Sequence, residues 1–106
     1  MVDRLKDRVA IITGAGQGIG EAIARCFVAE GARVVIAERN PDTGEAVAAR
    51  LRAEGHAALA VQTDVANPDS VRRMVEATVE HFGAPDILVN NEGIGVASGC
   101  IESRWS

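Results

Sequence analysis

Four glycines alternate through the stretch TGAGQGIG, residues 13–20: Gly14, Gly16, Gly18 and Gly20. A turn this bare of side chains lets another molecule approach the backbone itself. An apolar run precedes it and a helical pattern follows. The turn therefore delivers free N–H groups, and the partial positive charge of a helix N-terminus, to whatever sits there. That chemistry is anion binding, and a pyrophosphate suits it. The spacing departs from the G-x-G-x-x-G fingerprint, and out of context the same glycines serve equally well as a tight strand-to-helix turn. The other reactive residues are scattered. Cys26 and Cys100 match no metal-ligand spacing. His56 and His81 fall at a strand start and a helix end, where surface histidines are ordinary. Ser98 and Ser103 have no base nearby in sequence. These residues give neither a metal site nor a catalytic constellation.

The elements that must hold the turn are legible around it. RVAIIT (8–13) is a short β-branched run that reads as a strand buried on both faces. Ile19, Ala22, Ile23, Cys26 and Phe27 recur at helical spacing, predicting a helix over 18–30 that stops at Gly31. RVVIA (33–37) reads as a second strand. Pro41 opens a helix to about 54, with Val47, Ala48 and Leu51 on one face. AALAVQ (57–62) is a third strand. Asn67-Pro68 starts a helix to 82 with the stripe Val71, Met74, Val75, Thr78, Val79 and Phe82. DILVN (86–90) is a fourth strand. AEGARVVIA (29–37) and AEGHAALAV (53–61) repeat one helix-end, glycine, strand unit. The order β-α-β-α-β-α-β predicts an α/β fold: a Rossmann-like, doubly wound parallel sheet, truncated after about four strands, with right-handed crossovers. All four strands are expected to be buried. The first two helices should cover one face and the third the other.

Composition narrows the function. At 106 residues the chain is long enough for one domain, and it is 47% hydrophobic and 25% charged, a globular balance. A formal net charge of −4 argues against a nucleic-acid partner, which needs a basic face. The chain has no secretory signal and no apolar run long enough to span a membrane, so no membrane partner is expected and a cytoplasmic location is the default.

TGAGQGIG matches the TGxxxGxG pattern of the short-chain dehydrogenase/reductase family at Thr13, Gly14, Gly18 and Gly20. Three further marks follow in order. Glu38 closes the second strand, Asp64-Val65 follows the third, and NNEG (90–93) ends the fourth where the family has NNAG. The chain resembles that family over roughly residues 5–95. The resemblance implies a dinucleotide-binding half over residues 1–95 and a tail, 96–106, leading toward a catalytic half. It implies that Thr13, Gly14, Gln17, Gly18, Ile19 and Gly20 form the pyrophosphate turn. Asp64 would accept from the adenine amino group beside the Val65 backbone. Asn90 would tie the fourth strand to the sheet and touch the adenosine ribose, with Glu92 and Gly93 completing the segment. A carboxylate at Glu38 accepts from both ribose hydroxyls and repels a 2′-phosphate, so NAD is favoured over NADP, although Arg39 beside it could pair such a phosphate. Glu92 departs from the family's small residue and brings charge and volume toward a ligand that is itself anionic.

The family transfers hydride with a Ser, a Tyr and a Lys supported by an Asn. This sequence has no tyrosine, and its one lysine, Lys6, precedes the first strand. The expectation is therefore the NAD-binding, N-terminal part of an enzyme that moves hydride between NAD(H) and a small alcohol or carbonyl, catalytically incompetent as these residues stand. The alternatives are a non-catalytic nucleotide-binding or regulatory module and a truncated product without function. The fourth strand should form an open edge through which the chain self-associates or pairs with a full-length relative.

Overall fold

The computed structural model describes residues 5–14 and 18–91. Seven elements follow in order: β1 (Val9–Thr13), α1 (Gly18–Ala29), β2 (Arg33–Glu38), α2 (Pro41–Ala53), β3 (Ala58–Gln62), α3 (Pro68–His81) and β4 (Ile87–Asn90). The bounds fall within a residue of those predicted. The strands form one parallel sheet in the order β3-β2-β1-β4. Because β2 lies on one side of β1 and β4 on the other, the chain reverses its direction of winding at β1, where open α/β sheets place their ligand crevice.

Local chemistry sets the helix ends. Asn40 caps α2 and Asn67 caps α3. The Asn40 Oδ1 accepts from the N–H groups of Asp42 (2.9 Å) and Thr43 (3.4 Å), and the Asn67 Oδ1 from those of Asp69 (2.9 Å) and Ser70 (3.2 Å). A proline at the first helical position follows each cap, where its missing N–H costs nothing.

The strands alternate between two cores. Ala10, Ile12, Val34 and Ile36 pack against Ala24, Phe27 and Val28 of α1 and Val47, Ala48 and Leu51 of α2. Ile11, Val35 and Ala37 pack against Met74 of α3 on the opposite face. The expected division of helices between the faces therefore holds.

Three details differ from the sequence reading. The buried face of α1 is Gly20, Ala24, Phe27 and Val28, rotated from the predicted stripe, while Ile19 (41% exposed) and Ala22 turn outward. Phe27 and Val28 anchor that face in the core beside Ala24. On α3, Val79 is exposed although it belongs to the predicted stripe. Lastly, only β1 is buried throughout, and β2 from Val34 onward. β3 and β4 are outer strands of the described sheet, and in β4 only alternate residues are covered, which leaves Leu88 64% exposed. Beside Leu88 an apolar cavity of about 330 Å³ opens between α3 and β4, with Ile11, Val71, Met74 and Ile87 in its wall.

Candidate functional site

The parallel register brings the C-terminal ends of all four strands side by side. Thr13 pairs with Ala37 on one side and Asn90 on the other, and Glu38 pairs with Gln62. The four sequence marks thus converge on one edge of the sheet.

The glycine turn begins at Gly14, whose φ of 67° lies in the left-handed region and whose N–H donates to the Ala37 carbonyl at 2.9 Å. That bond fastens the start of the turn to β2. Gly18 opens α1 with φ 23°, and a Cβ added there would meet nothing within 4 Å among the described residues. Internal packing therefore does not account for this glycine. Gly18 is the first residue of α1, and the leading N–H groups of a helix have no partner within it and are suited to donate to an anion. Gly20, two residues further into α1, is buried.

Thr13 is buried, and its hydroxyl joins β1 to β4. The Oγ1 lies 3.3 Å from the Val89 carbonyl and 3.2 Å from Asn90 Oδ1, either of which its proton can reach, and it accepts from the Asn91 N–H at 3.0 Å. Thr13 thus fixes the strand ends on which the crevice stands. The sequence reading passed over Asn91. Its Nδ2 donates to the Gly14 carbonyl at 3.4 Å, bracing the glycine turn from the β4 side. Its Oδ1 is buried and has no hydrogen-bond partner among the described residues. The doubled asparagine of NNEG was the available signal, but sequence does not say which of the two amides turns inward.

Glu38 and Arg39 leave β2 on opposite faces. Glu38 is 7% exposed and follows Val34 and Ile36 onto the α2 side, where its Oε2 accepts from the Asn40 N–H at 3.4 Å. Arg39 is exposed and lines a polar cavity of about 330 Å³ on the α3 side, together with Asp64, Asn67, Ser70 and Arg73. Asp64 is held at both ends. Its N–H donates to Ser70 Oγ at 2.9 Å, and its Oδ1 accepts from the Ala66 N–H at 3.0 Å. Among the described residues its other carboxylate oxygen makes no hydrogen bond, which leaves an acceptor at the cavity wall. Val65 is exposed beside it.

The structure therefore brings Thr13, Gly14, Gly18, Ile19, Glu38, Arg39, Asp64, Val65 and Asn90 to one edge of the sheet, with Gly20 packed just behind the turn. Gln17, Glu92 and Gly93 lie outside the described residues. The arrangement offers backbone donors for phosphate beside two carboxylates suited to hydroxyl or amino groups. Among the described residues no group of His, Cys, Asp and Glu could hold a metal ion, and no helix is long and apolar enough to cross a membrane.

Residues 8–104 match the family model described as short chain dehydrogenase. The chain is 48% identical over 91 residues to the short chain dehydrogenase/reductase astE of Aspergillus oryzae, covering 85% of this chain and 35% of that protein. Among solved structures it superposes on a hydroxysteroid dehydrogenase from Escherichia coli with a TM-score of 0.80 and 36% identity, covering 83% of this chain and 37% of the other. It also superposes on a 3-ketoacyl-(acyl-carrier-protein) reductase from Brucella melitensis complexed with NADH, with a TM-score of 0.73 and 45% identity, covering 79% and 33%. The chain spans about a third of the length of these relatives.

Proposed function

Because the chain belongs to the short-chain dehydrogenase/reductase family, we propose that it is the NAD-binding, N-terminal part of an oxidoreductase that moves hydride between NAD(H) and a small alcohol or carbonyl. When bound, the nicotinamide supplies the hydride donor or acceptor. What these residues supply is binding. The observation that carries the reading is the open space at Gly18, a positive-φ glycine at the N-terminus of α1 whose missing side chain no packing contact among the described residues requires. A pyrophosphate fits there, against backbone donors and a helix dipole. Thr13 and Asn91 brace the turn on which it rests. Glu38 would meet the adenosine ribose hydroxyls, Asp64 the adenine amino group, and Asn90 the ribose through its backbone. Gln17, Glu92 and Gly93 are proposed to complete the same site. With no tyrosine among the 106 residues, they do not contain the family's proton-transfer pair, and we expect them to bind without catalysing.

NAD is proposed over NADP because a carboxylate at the end of β2 accepts from a ribose 2′-hydroxyl and repels a 2′-phosphate. Support comes from a structural relative at 45% identity, which was solved with NADH. Titrating NAD into the labelled chain should shift the amide resonances of Gly18 to Gly20, Glu38 and Asp64. Glu38→Ala should weaken NAD about tenfold, consistent with losing hydrogen bonds to a charged acceptor, and narrow its advantage over NADP. Shifts confined to other surfaces, or an unchanged NAD:NADP ratio in the variant, would count against the assignment.

A second reading, a binding module that associates through its sheet edge, is favoured by Leu88, which stands 64% exposed on β4 next to an apolar cavity. It predicts concentration-dependent self-association in sedimentation, reduced by Leu88→Lys. A chain that stays monomeric at every concentration excludes self-association.

A further inference from the structure

Gly44 sits in the first turns of α2, and its place there needs a reason. Glycine is the least favourable residue for a helix after proline, and nothing about the local backbone calls for it, since Gly44 is absent from the positions with positive φ. The reason is contact. Gly44 is buried, and a Cβ built on it would lie 3.1 Å from the Glu38 Cβ, 3.6 Å from its Cγ and 3.9 Å from Ile36 Cγ2. The helix therefore lies directly on the stem of Glu38. That stem runs between the end of β2 and α2 to a carboxylate held near the Asn40 N–H. Asn40 is also the cap of α2, so one helix start governs both the base and the tip of the side chain.

We infer that Gly44 is a specificity-positioning residue: its missing side chain lets Glu38 lie against α2 with its carboxylate at the end of β2, and so sets the preference between NAD and NADP. The inference rests on the reading above, in which Glu38 meets the adenosine ribose. A methyl group at residue 44 forces the contact open by a few tenths of an ångström. A cavity of about 180 Å³ adjoins the contact, lined by Glu38, Gly44, Ala60 and Val61 among others. The closest atom, the Glu38 Cβ, moves only with its backbone, so the contact is relieved by a small shift of the β2 end or of α2, and the expected response is a displaced carboxylate and not a broken fold. Displacements of this size are enough to weaken hydrogen bonds that depend on fixed geometry.

The test is titration of the whole chain and of Gly44→Ala with NAD and with NADP, alongside thermal melts. A merely structural glycine would change both affinities equally. The inference expects the melt to hold or rise, through better helix propensity, while the ratio of NADP to NAD dissociation constants falls about fivefold. Wild-type NAD preference with an unchanged ratio in Gly44→Ala overturns this inference and leaves the binding reading standing. A folded wild-type chain that binds neither dinucleotide overturns both. If Gly44→Ala alone does not fold, adding Glu38→Gly decides the matter. Recovery of the melt assigns the collision to the Glu38 stem and supports the inference, whereas no recovery overturns it.

Discussion

Gly18→Ala is expected to lower NAD affinity about 100-fold while the chain stays folded. The argument runs from the space around the residue. Among the described residues an added Cβ meets no atom within 4 Å, so the methyl group displaces none of them. It instead occupies the approach to the first turn of α1, where the proposed pyrophosphate must come within hydrogen-bond distance of backbone N–H groups. A methyl group there pushes the phosphate out of contact range and forfeits the charge-assisted bonds that are the strongest available to the site. The conformational cost is separate and smaller. A φ of 23° is unusual for an L-residue, and the strain is on the order of 1–2 kcal/mol. Calorimetric titration and a melt on the same sample separate the two effects. A variant that binds like wild type would remove the turn from the site.

The largest effect on stability is expected at Phe27. Its side chain is 2% exposed and is the largest of those fully buried, packed with Ile12, Val34, Ile36 and Leu51 between α1, α2 and the sheet. Phe27→Ala removes that volume and leaves a cavity, at a cost of about 3–5 kcal/mol. A domain of this size has roughly 5–15 kcal/mol in all, so the variant keeps only a small margin. Function follows the fold here, because α1 carries the open N-terminus at Gly18. The variant should melt about 15 °C or more below wild type and lose NAD binding as it unfolds. A melt within a few degrees of wild type would mean that α1 packs less tightly than its burial indicates.

The sequence was most informative where chemistry is local. Pro41, the Asn67-Pro68 pair and the β-branched runs announce their elements directly, and the predicted bounds agree with the observed ones to within a residue. The family pattern also marked which strand ends matter, and the parallel register brings those ends together. What the sequence did not reveal depends on neighbours in space. The inward face of α1 is Gly20, Ala24, Phe27 and Val28, with Ile19 and Ala22 turned outward, an orientation set by how the helix docks on the sheet. Val79 has the right spacing and still faces outward. Asn91 braces the glycine turn from 77 residues away, a contact no periodicity encodes. Gly44 looks like a poorly chosen helix residue until Glu38 is seen lying against it.

The most direct test of the central claim is calorimetric titration of the purified chain with NAD and, in parallel, NADP, with circular dichroism confirming the fold. The account predicts saturable binding of NAD, tighter than that of NADP. A folded chain that binds neither would contradict it.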